Sequence, residues 1–369
     1  MRRLEIRVGE IAPNMAREPP KPGSIEAILA SKLAEPPAKK LDDSHYQPRT
    51  QSCYAFNGSA WQAAPVAHSA TSAATSTTGA LTMQLITWNI DVLRGGAKPR
   101  MAAALEHLES LVLNVPSPQP IVIFLQEMGQ TDLAQIQAAE WVRARFFLTD
   151  IDERNWDSPH YGTTTLVDRR FNIEKIFRVP WVTKFERDGL FIDIKGSKGQ
   201  VVRLCNTHLE SLVADPPVRP LQLAAAAKYL HADSVQAALL AGDLNAIQPF
   251  DRTLHTENRL KDAYLELGGK EDGEEGYTWG PQVPQWMKDK FGCSRMDKIL
   301  YSGAVRVKTL ERIGVGVKVA EDKRQEMRDI GCEEWVTDHY GLMGELQLDV
   351  SCLISEVESA RLPAGISHI

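Results

Sequence analysis

No run of about twenty apolar residues occurs in the chain, so a membrane-spanning helix is not expected. There is no CxxC pair and no metal-ligand spacing among the five cysteines, Cys53, Cys205, Cys293, Cys332 and Cys352. Their odd, scattered occurrence argues against a disulfide framework and suits a reduced, intracellular compartment. The N-terminal stretch MRRLEIRVGE has basic residues but no apolar core, so a secretory signal is not expected. Nor is there a basic excess: 42 Lys and Arg stand against 48 Asp and Glu, a net charge of −6. That argues against a broad electrostatic grip on nucleic acid and leaves room only for a local basic groove. Internal repeats are missing as well.

A further absence divides the chain. From Thr50 to Ile90 there is no Asp, Glu, Lys or Arg, and the centre of that stretch is an Ala/Ser/Thr tract with few large apolar groups. Such a tract gains too little from burial to offset the entropy of ordering, and it reads as a linker. Prolines gather at Pro19, Pro20, Pro22, Pro36 and Pro37 around a short helical pattern, Ser24–Leu33. The expectation is a largely disordered extension over 1–80, a catalytic domain over 81–350 and a tail over 351–369. The aromatic group Tyr54, Phe56 and Trp61 is an exception, either docked on the main domain or free to meet a partner.

From Leu81 onward the pattern is that of a packed α/β domain. MQLITWNI and IVIFLQE read as strands, and Leu105, Leu108 and Val112 mark a helix over Arg100–Leu113. A second helix is expected over Thr131–Arg145. TTTLVD, RVPWVTKF, GLFIDIKG and QVVRLCNTHLE follow as short strands, several set off by glycines. Arg219–His231 is an Ala-rich helix opened by prolines. RMDKILYS, the region Val305–Leu310 and TDHYGLMGELQL complete the strands. The expected fold is a four-layer α/β sandwich, with two packed mixed β-sheets flanked by helices.

Polar clusters recur where these strands end: Trp88-Asn89-Ile90-Asp91, Gln126-Glu127, Asn206-Thr207-His208, Asp243-Leu244-Asn245 and Asp338-His339. In AALLAGDLN the apolar run is expected to stop at Gly242 and to carry Asp243 and Asn245 out on one side. Taken alone, the same residues equally describe a loop with Asx-turn chemistry. A single strand-end Glu is commonly just solvated, and a single His commonly just packed. Their repetition at strand ends points to a site.

The ordered series TWN, LQE, NTHLES, GDLN, RMDKI and TDHYGL resembles the endonuclease/exonuclease/phosphatase superfamily of metal-dependent phosphodiesterases, over roughly Leu81 to Leu348. TWNID, HLES, Arg219 with Gln222-Leu223, and Tyr277-Thr278-Trp279 make it most similar to the tyrosyl-DNA phosphodiesterase branch. That resemblance implies a Mg²⁺-dependent phosphodiesterase, with Mn²⁺ as a substitute. It would hydrolyse 5′-phosphotyrosyl bonds between DNA ends and topoisomerase-derived tyrosine or peptide.

It also assigns roles. Glu127 is the metal ligand, one carboxylate for a hard, oxygen-preferring ion, and Asn89 orients that shell or contacts phosphate. Asp243, with Asn245 beside it, orients and deprotonates the attacking water; an ordinary Asp pKa of about 3.9 makes it a weak base, so positioning must supply much of the effect. His339 faces the scissile phosphate with Asp338 favouring its protonated form, and His208 adds a second donor. Asp297 braces one of these histidines. Ser211 and Arg219 belong to the substrate pocket. Trp279 and Tyr161 are candidates to stack on or flank a single-stranded end, with core or rim packing as the alternative.

One departure concerns DNA grip: the family has a basic residue two positions after the Asn of GDxN, and here that position is Ile247. The grip is then weakened, or moved to Gln248 or Arg252. The run Arg169, Arg170, Lys175, Arg178, Lys184, Arg187 is either a basic wall or a solvated strand face. Other superfamily chemistries compete, namely an RNA 3′ exonuclease, an abasic-site endonuclease or a small-phosphodiester hydrolase, as does a non-catalytic binding domain. A monomer in the nucleus is expected if the substrate is DNA, with the cytoplasm as the alternative and residues 1–80 available to a protein partner.

Overall fold

Alternation along the central strands decides the layering. In Ile121–Met128, Val122 and Phe124 face one hydrophobic core while Ile123 and Leu125 face another, all fully buried. In Val235–Asp243, Leu239 and Ala241 join the first of these cores, and Leu240 turns to a third. Strands buried on both faces must lie in sheets covered on both faces. The shared core lies between the sheets, and each outer core lies under helices.

The computed structural model describes residues 42–64, 80–116, 118–196 and 199–349, together with Ser31, Ala34, Glu35, Thr75, Ser76, Leu353 and Ile354. The 7-stranded sheet runs Arg49–Gln51, Ile173–Pro180, Asp188–Lys195, Val201–His208, Val235–Asp243, Asp297–Gly303, Lys261–Asp262. The 8-stranded sheet runs Val305–Ile313, Gly341–Leu348, Leu81–Asn89, Ile121–Met128, Gly162–Asp168, Phe146–Leu148, Cys53–Phe56, Trp61–Ala64. Both are mixed, and the four-layer α/β sandwich is the observed fold. Among the described residues no helix is long and apolar enough to cross a membrane.

The helix Ala97–Asn114 covers the 8-stranded sheet with Met101, Ala104, Leu105, Leu108 and Val112, a helical stripe. The helix expected over Thr131–Arg145 is two, Gln130–Ala138 and Glu140–Arg145. Ala139 between them is extended, with φ −67° and ψ 123°, which re-aims Trp141 and Val142 into the core under Phe146. The expected strand RVPWVTKF stops at Pro180. Trp181 then turns inward, and its Nε1 donates to Thr207 Oγ1 at 3.0 Å.

The N-terminal boundary expected at residue 80 is corrected. Arg49–Gln51 pairs antiparallel with Ile173–Pro180, and Tyr54 pairs with Leu148 of the other sheet. Residues 49–64 therefore strap the edges of both sheets. An uncharged, small-residue stretch reads as a linker, yet an edge strand is held chiefly by backbone hydrogen bonds and needs few apolar side chains. The helix expected over Ser24–Leu33 and most of the Ala/Ser/Thr tract and the tail lie outside the described residues.

One end of the sandwich collects the polar residues. Leu81–Asn89 runs parallel to Ile121–Met128, and Val201–His208 parallel to Val235–Asp243, so both pairs finish at the same rim. Asp297–Gly303 and Gly341–Leu348 are antiparallel to them and start there. Gly242 does not end its strand as expected: it pairs with Thr207 and passes the chain on to Asp243, which pairs with His208. Its φ of +146° and the Thr207 carbonyl oxygen, 1.8 Å from where a Cβ would sit, leave glycine as the residue that fits.

Candidate active site

At that rim the 7-stranded sheet supplies His208, Asp243 and Asp297, and the 8-stranded sheet supplies Asn89, Glu127 and, just ahead of its strand, His339. Beneath them, Gln126 and Asn206 are fully buried and bridge the sheets. Gln126 Nε2 donates to Asn206 Oδ1 at 2.8 Å, and Asn206 Nδ2 donates to Thr164 O at 3.0 Å. This polar bracket fixes how far apart the two halves of the site stand.

Asp243 is the hub. Its Oδ2 accepts from Asn89 Nδ2 at 3.0 Å and lies 3.3 Å from His208 Nε2; its Oδ1 accepts from Asn245 N at 2.8 Å. Asn245 holds its place in the left-handed region, φ 46°, with Nδ2 donating to Leu209 O at 3.1 Å. Asp243 and Asn245 are thus converging and buried rather than projecting into solvent.

Arg187 sets the state of His208. One guanidinium nitrogen lies 2.6 Å from His208 Nδ1, and arginine has only donors, so Nδ1 accepts. His208 is therefore neutral with its proton on Nε2, aimed at Asp243. Burial, and then the charge of Arg187, hold its pKa well below the ordinary histidine value. The other end of Arg187 donates to Ser211 Oγ at 3.0 Å, and its guanidinium stacks 5.0 Å over the Tyr161 ring. Arg187, read from the sequence merely as one of a basic run, is a central member of the site. The antiparallel register of Gly189 with Thr207 would have pointed to it, since that pairing carries Arg187 back beside His208.

His339 is the opposite case. Burial alone would lower its pKa, but Asp297, Asp243 and Asp338 around it raise it well above the ordinary value. The bonded partner is Asp297, whose Oδ2 is 2.9 Å from Nδ1; Asp338 lies 3.9 Å from Nε2. Asp338 therefore favours the protonated form by charge and not by a hydrogen bond. Asp338 Oδ2 instead accepts from Trp279 Nε1 at 2.9 Å and pairs with Arg94 at 3.7 Å, tying Trp279 to the mouth. Thr337, not foreseen, locks the loop by donating to Asn89 O at 2.9 Å while accepting from His339 N at 3.1 Å.

Glu127 supplies the test for a metal. It sits at φ 53°, where the pairing of Ile121–Met128 with Gly162–Asp168 shifts register, so its carboxylate leaves the sheet plane. Among the described residues no donor hydrogen-bonds to it. The nearest cationic candidate, His208 Nδ1 at 3.9 Å, is already engaged by Arg187. Burial pushes its pKa up. A half-buried carboxylate without a donor, beside a carboxamide, suits a hard divalent cation with oxygen ligands. Asn89 Oδ1 already accepts from Asp91 N at 2.9 Å and keeps one lone pair for such an ion. Asp243, Asp297 and His339 also offer ligand atoms within 4.8 Å of one another. There, however, the charges of Asp297, Asp243 and Asp338 raise the His339 pKa, so its ring nitrogens donate rather than ligate and this group reads as charge-paired.

Other expected site residues fall elsewhere. Arg219 is buried, and its guanidinium is spent on Asp251, Gln248 Oε1, Glu210 O and Leu212 O. It anchors the loops beside the site and has no donor left for substrate. Gln248 gives only its Oε1 to Arg219, and the exposed Arg252 pairs with Asp272 at 2.8 Å, a surface pair that leaves it beside Ile247. The basic run forms no wall: Arg178 is buried between Asp150 and Asp188, and Arg170 pairs with Asp168.

Residues 86–339 match the model of the endonuclease/exonuclease/phosphatase family, more than half of the chain. The chain belongs to the endonuclease/exonuclease/phosphatase family. A 5′-tyrosyl-DNA phosphodiesterase of Caenorhabditis elegans is 24% identical over 269 residues, 70% of this chain and 66% of that protein. The chain thus spans just under two thirds of that relative's length. Among solved structures, a humanized D. rerio TDP2 has 20% identity and a TM-score of 0.55, covering 72% of this chain and 98% of the other. D. rerio TDP2 complexed with single strand DNA product has 18% identity and a TM-score of 0.54, with the same coverage. In this family member, the matched region includes the whole rim from Asn89 to His339 but not the strap at 49–64.

Proposed function

We propose that the chain is a Mg²⁺-dependent phosphodiesterase that hydrolyses the 5′-phosphotyrosyl bond at DNA ends. The observation that carries this reading is the division of labour around one small space. Asp243 gathers hydrogen bonds from Asn89 and the Asn245 backbone with His208 Nε2 close by, while Glu127 lacks a donor among the described residues.

Glu127 and Asn89 would hold the metal, which supplies charge neutralisation for the phosphoryl oxygens when bound. Asp243 orients the attacking water and takes its proton. Asn89 and His208 keep the carboxylate aimed. The cationic His339, fixed by Asp297, faces the negative charge that develops on the phosphoryl group. Phenol, with a pKa of about 10, leaves without a strong general acid. Arg187 stacked on Tyr161 offers the leaving aromatic ring a cationic and aromatic surface. Trp279 flanks the side where the nucleotide lies. A nuclear location accords with a DNA substrate.

Ile247, 36% exposed where relatives carry a cation, favours a second substrate reading, an RNA end or a small phosphodiester that needs less backbone grip. Hydrolysis of a 5′-tyrosyl oligonucleotide, run against a 3′-overhang RNA, separates the two. Cleavage of the tyrosyl bond is the expected result, and RNA trimming with an inert tyrosyl substrate would sink the assignment. Glu127→Gln is expected to raise the Mg²⁺ concentration at half-maximal rate by more than about tenfold. An unchanged titration curve would remove Glu127 as the ligand.

A further inference from the structure

The strap that lies outside the family match is joined to the active site by a buried polar chain. Gln51 ends the strand Arg49–Gln51, and its side chain turns in between the sheets. Its Nε2 donates to Thr149 O at 2.7 Å, and its Oε1 accepts from Arg178 Nε at 2.8 Å. Arg178, also buried, gives its other donors to Asp150 Oδ2 at 2.9 Å, Thr163 O at 2.7 Å and Asp188 Oδ2 at 2.8 Å.

Two lines then run to the site. Asp188 is bonded in sequence to Arg187, and Thr207 Oγ1 donates to Asp188 O at 2.8 Å, fixing that turn beside His208. Thr163 follows Tyr161 by two residues and lies in the strand Gly162–Asp168, which begins directly after Tyr161. Arg178 is thus the common support of Arg187 and Tyr161, and Gln51 is the acceptor that orients Arg178. Without that acceptor a buried, charged N–H is left unsatisfied, and the guanidinium must turn to find another partner. Such a turn moves Asp188 and Thr163 together.

We infer that Gln51 is a positioning residue for the phosphodiesterase site: through Arg178 it holds Arg187 and Tyr161 in register with His208. The kinetic consequence rests on the proposed phosphodiester hydrolysis; the effect on His208 does not.

The test is a double-mutant cycle in the full chain, with Gln51→Met and Arg187→Lys, followed on a 5′-tyrosyl oligonucleotide and on thymidine 5′-p-nitrophenyl phosphate. Gln51→Met is expected to lower kcat/KM on the order of tenfold alone, and by less than about twofold when Arg187 is already Lys. If Gln51→Met does not fold at the assay temperature, Gln51→Asn, whose shorter arm weakens the same contact, is read in its place. Independently of turnover, the ¹⁵N imidazole signals of His208 should report an accepting Nδ1 in the parent and shift in the Gln51 variant. Equal losses in both Arg187 backgrounds, or an unmoved His208 signal, would overturn the inference. A parent inert on the tyrosyl oligonucleotide overturns the substrate assignment alone, because the chromogenic diester and the His208 signal still decide the role of Gln51.

Discussion

Asp243→Asn is expected to lower kcat by about a thousandfold or more while the circular-dichroism spectrum stays native, since a positioned general base contributes roughly 10²–10⁴. The substitution keeps volume and shape but removes the charge and one acceptor. Asn89 Nδ2, Asn245 N and His208 Nε2 all present N–H groups to Asp243, so an amide NH₂ would face at least one donor. Neither histidine beside it can take over the role. His208 Nδ1 is occupied by Arg187, and His339 carries a proton already. Steady-state turnover of the purified variant decides the matter, and a rate within a few fold of the parent would take Asp243 out of the mechanism.

The second large effect lies one residue earlier. Gly242→Ala should destabilise the fold by about 3–5 kcal/mol, combining the strain of a β-carbon at this backbone geometry with overpacking. The clash is with the Thr207 carbonyl oxygen, backbone of the neighbouring parallel strand, which has no rotamer to change. Relief requires the two strands to part, and the pair next in register is His208 with Asp243. The variant should therefore lose activity beyond what its lowered stability explains, even where it is folded. Chemical denaturation gives the first quantity, and turnover well below the unfolding range gives the second. A midpoint shift worth less than about 1 kcal/mol would show that the strands yield more easily than this packing allows.

Much of this was legible in the residues because the demanding positions sit at strand ends, where a hydrophobic run stops at a polar side chain. GDLN, LQE and NTH announce themselves in that way, and the alternation that builds the sheets is local. What escaped was set by pairing between distant segments. Arg187 acquires its role only when the strand after it folds back along the strand carrying His208. Asp297 rather than Asp338 holds His339 because the strand containing Asp297 starts at the rim, whereas Asp338 is turned toward Trp279. The resemblance places Arg219 in the substrate pocket, and only the loops around it reveal that its donors are spent. The strap at 49–64 showed in the sequence only through its three aromatics, for another reason. It stands at the edges of the sheets, where pairing with a neighbour matters more than the apolar content by which a strand is recognised.

The Gln126–Asn206 bracket between the sheets has a consequence for the life of the chain before it is finished. One sheet holds Asn89 and Glu127 and leads into His339; the other holds His208, Asp243 and Asp297. Either half alone has no complete set of groups for cutting a phosphodiester. Under the proposed activity, hydrolysis acts as a logical conjunction, true only once both halves have docked, so a nascent or partly unfolded chain would cut no phosphodiester.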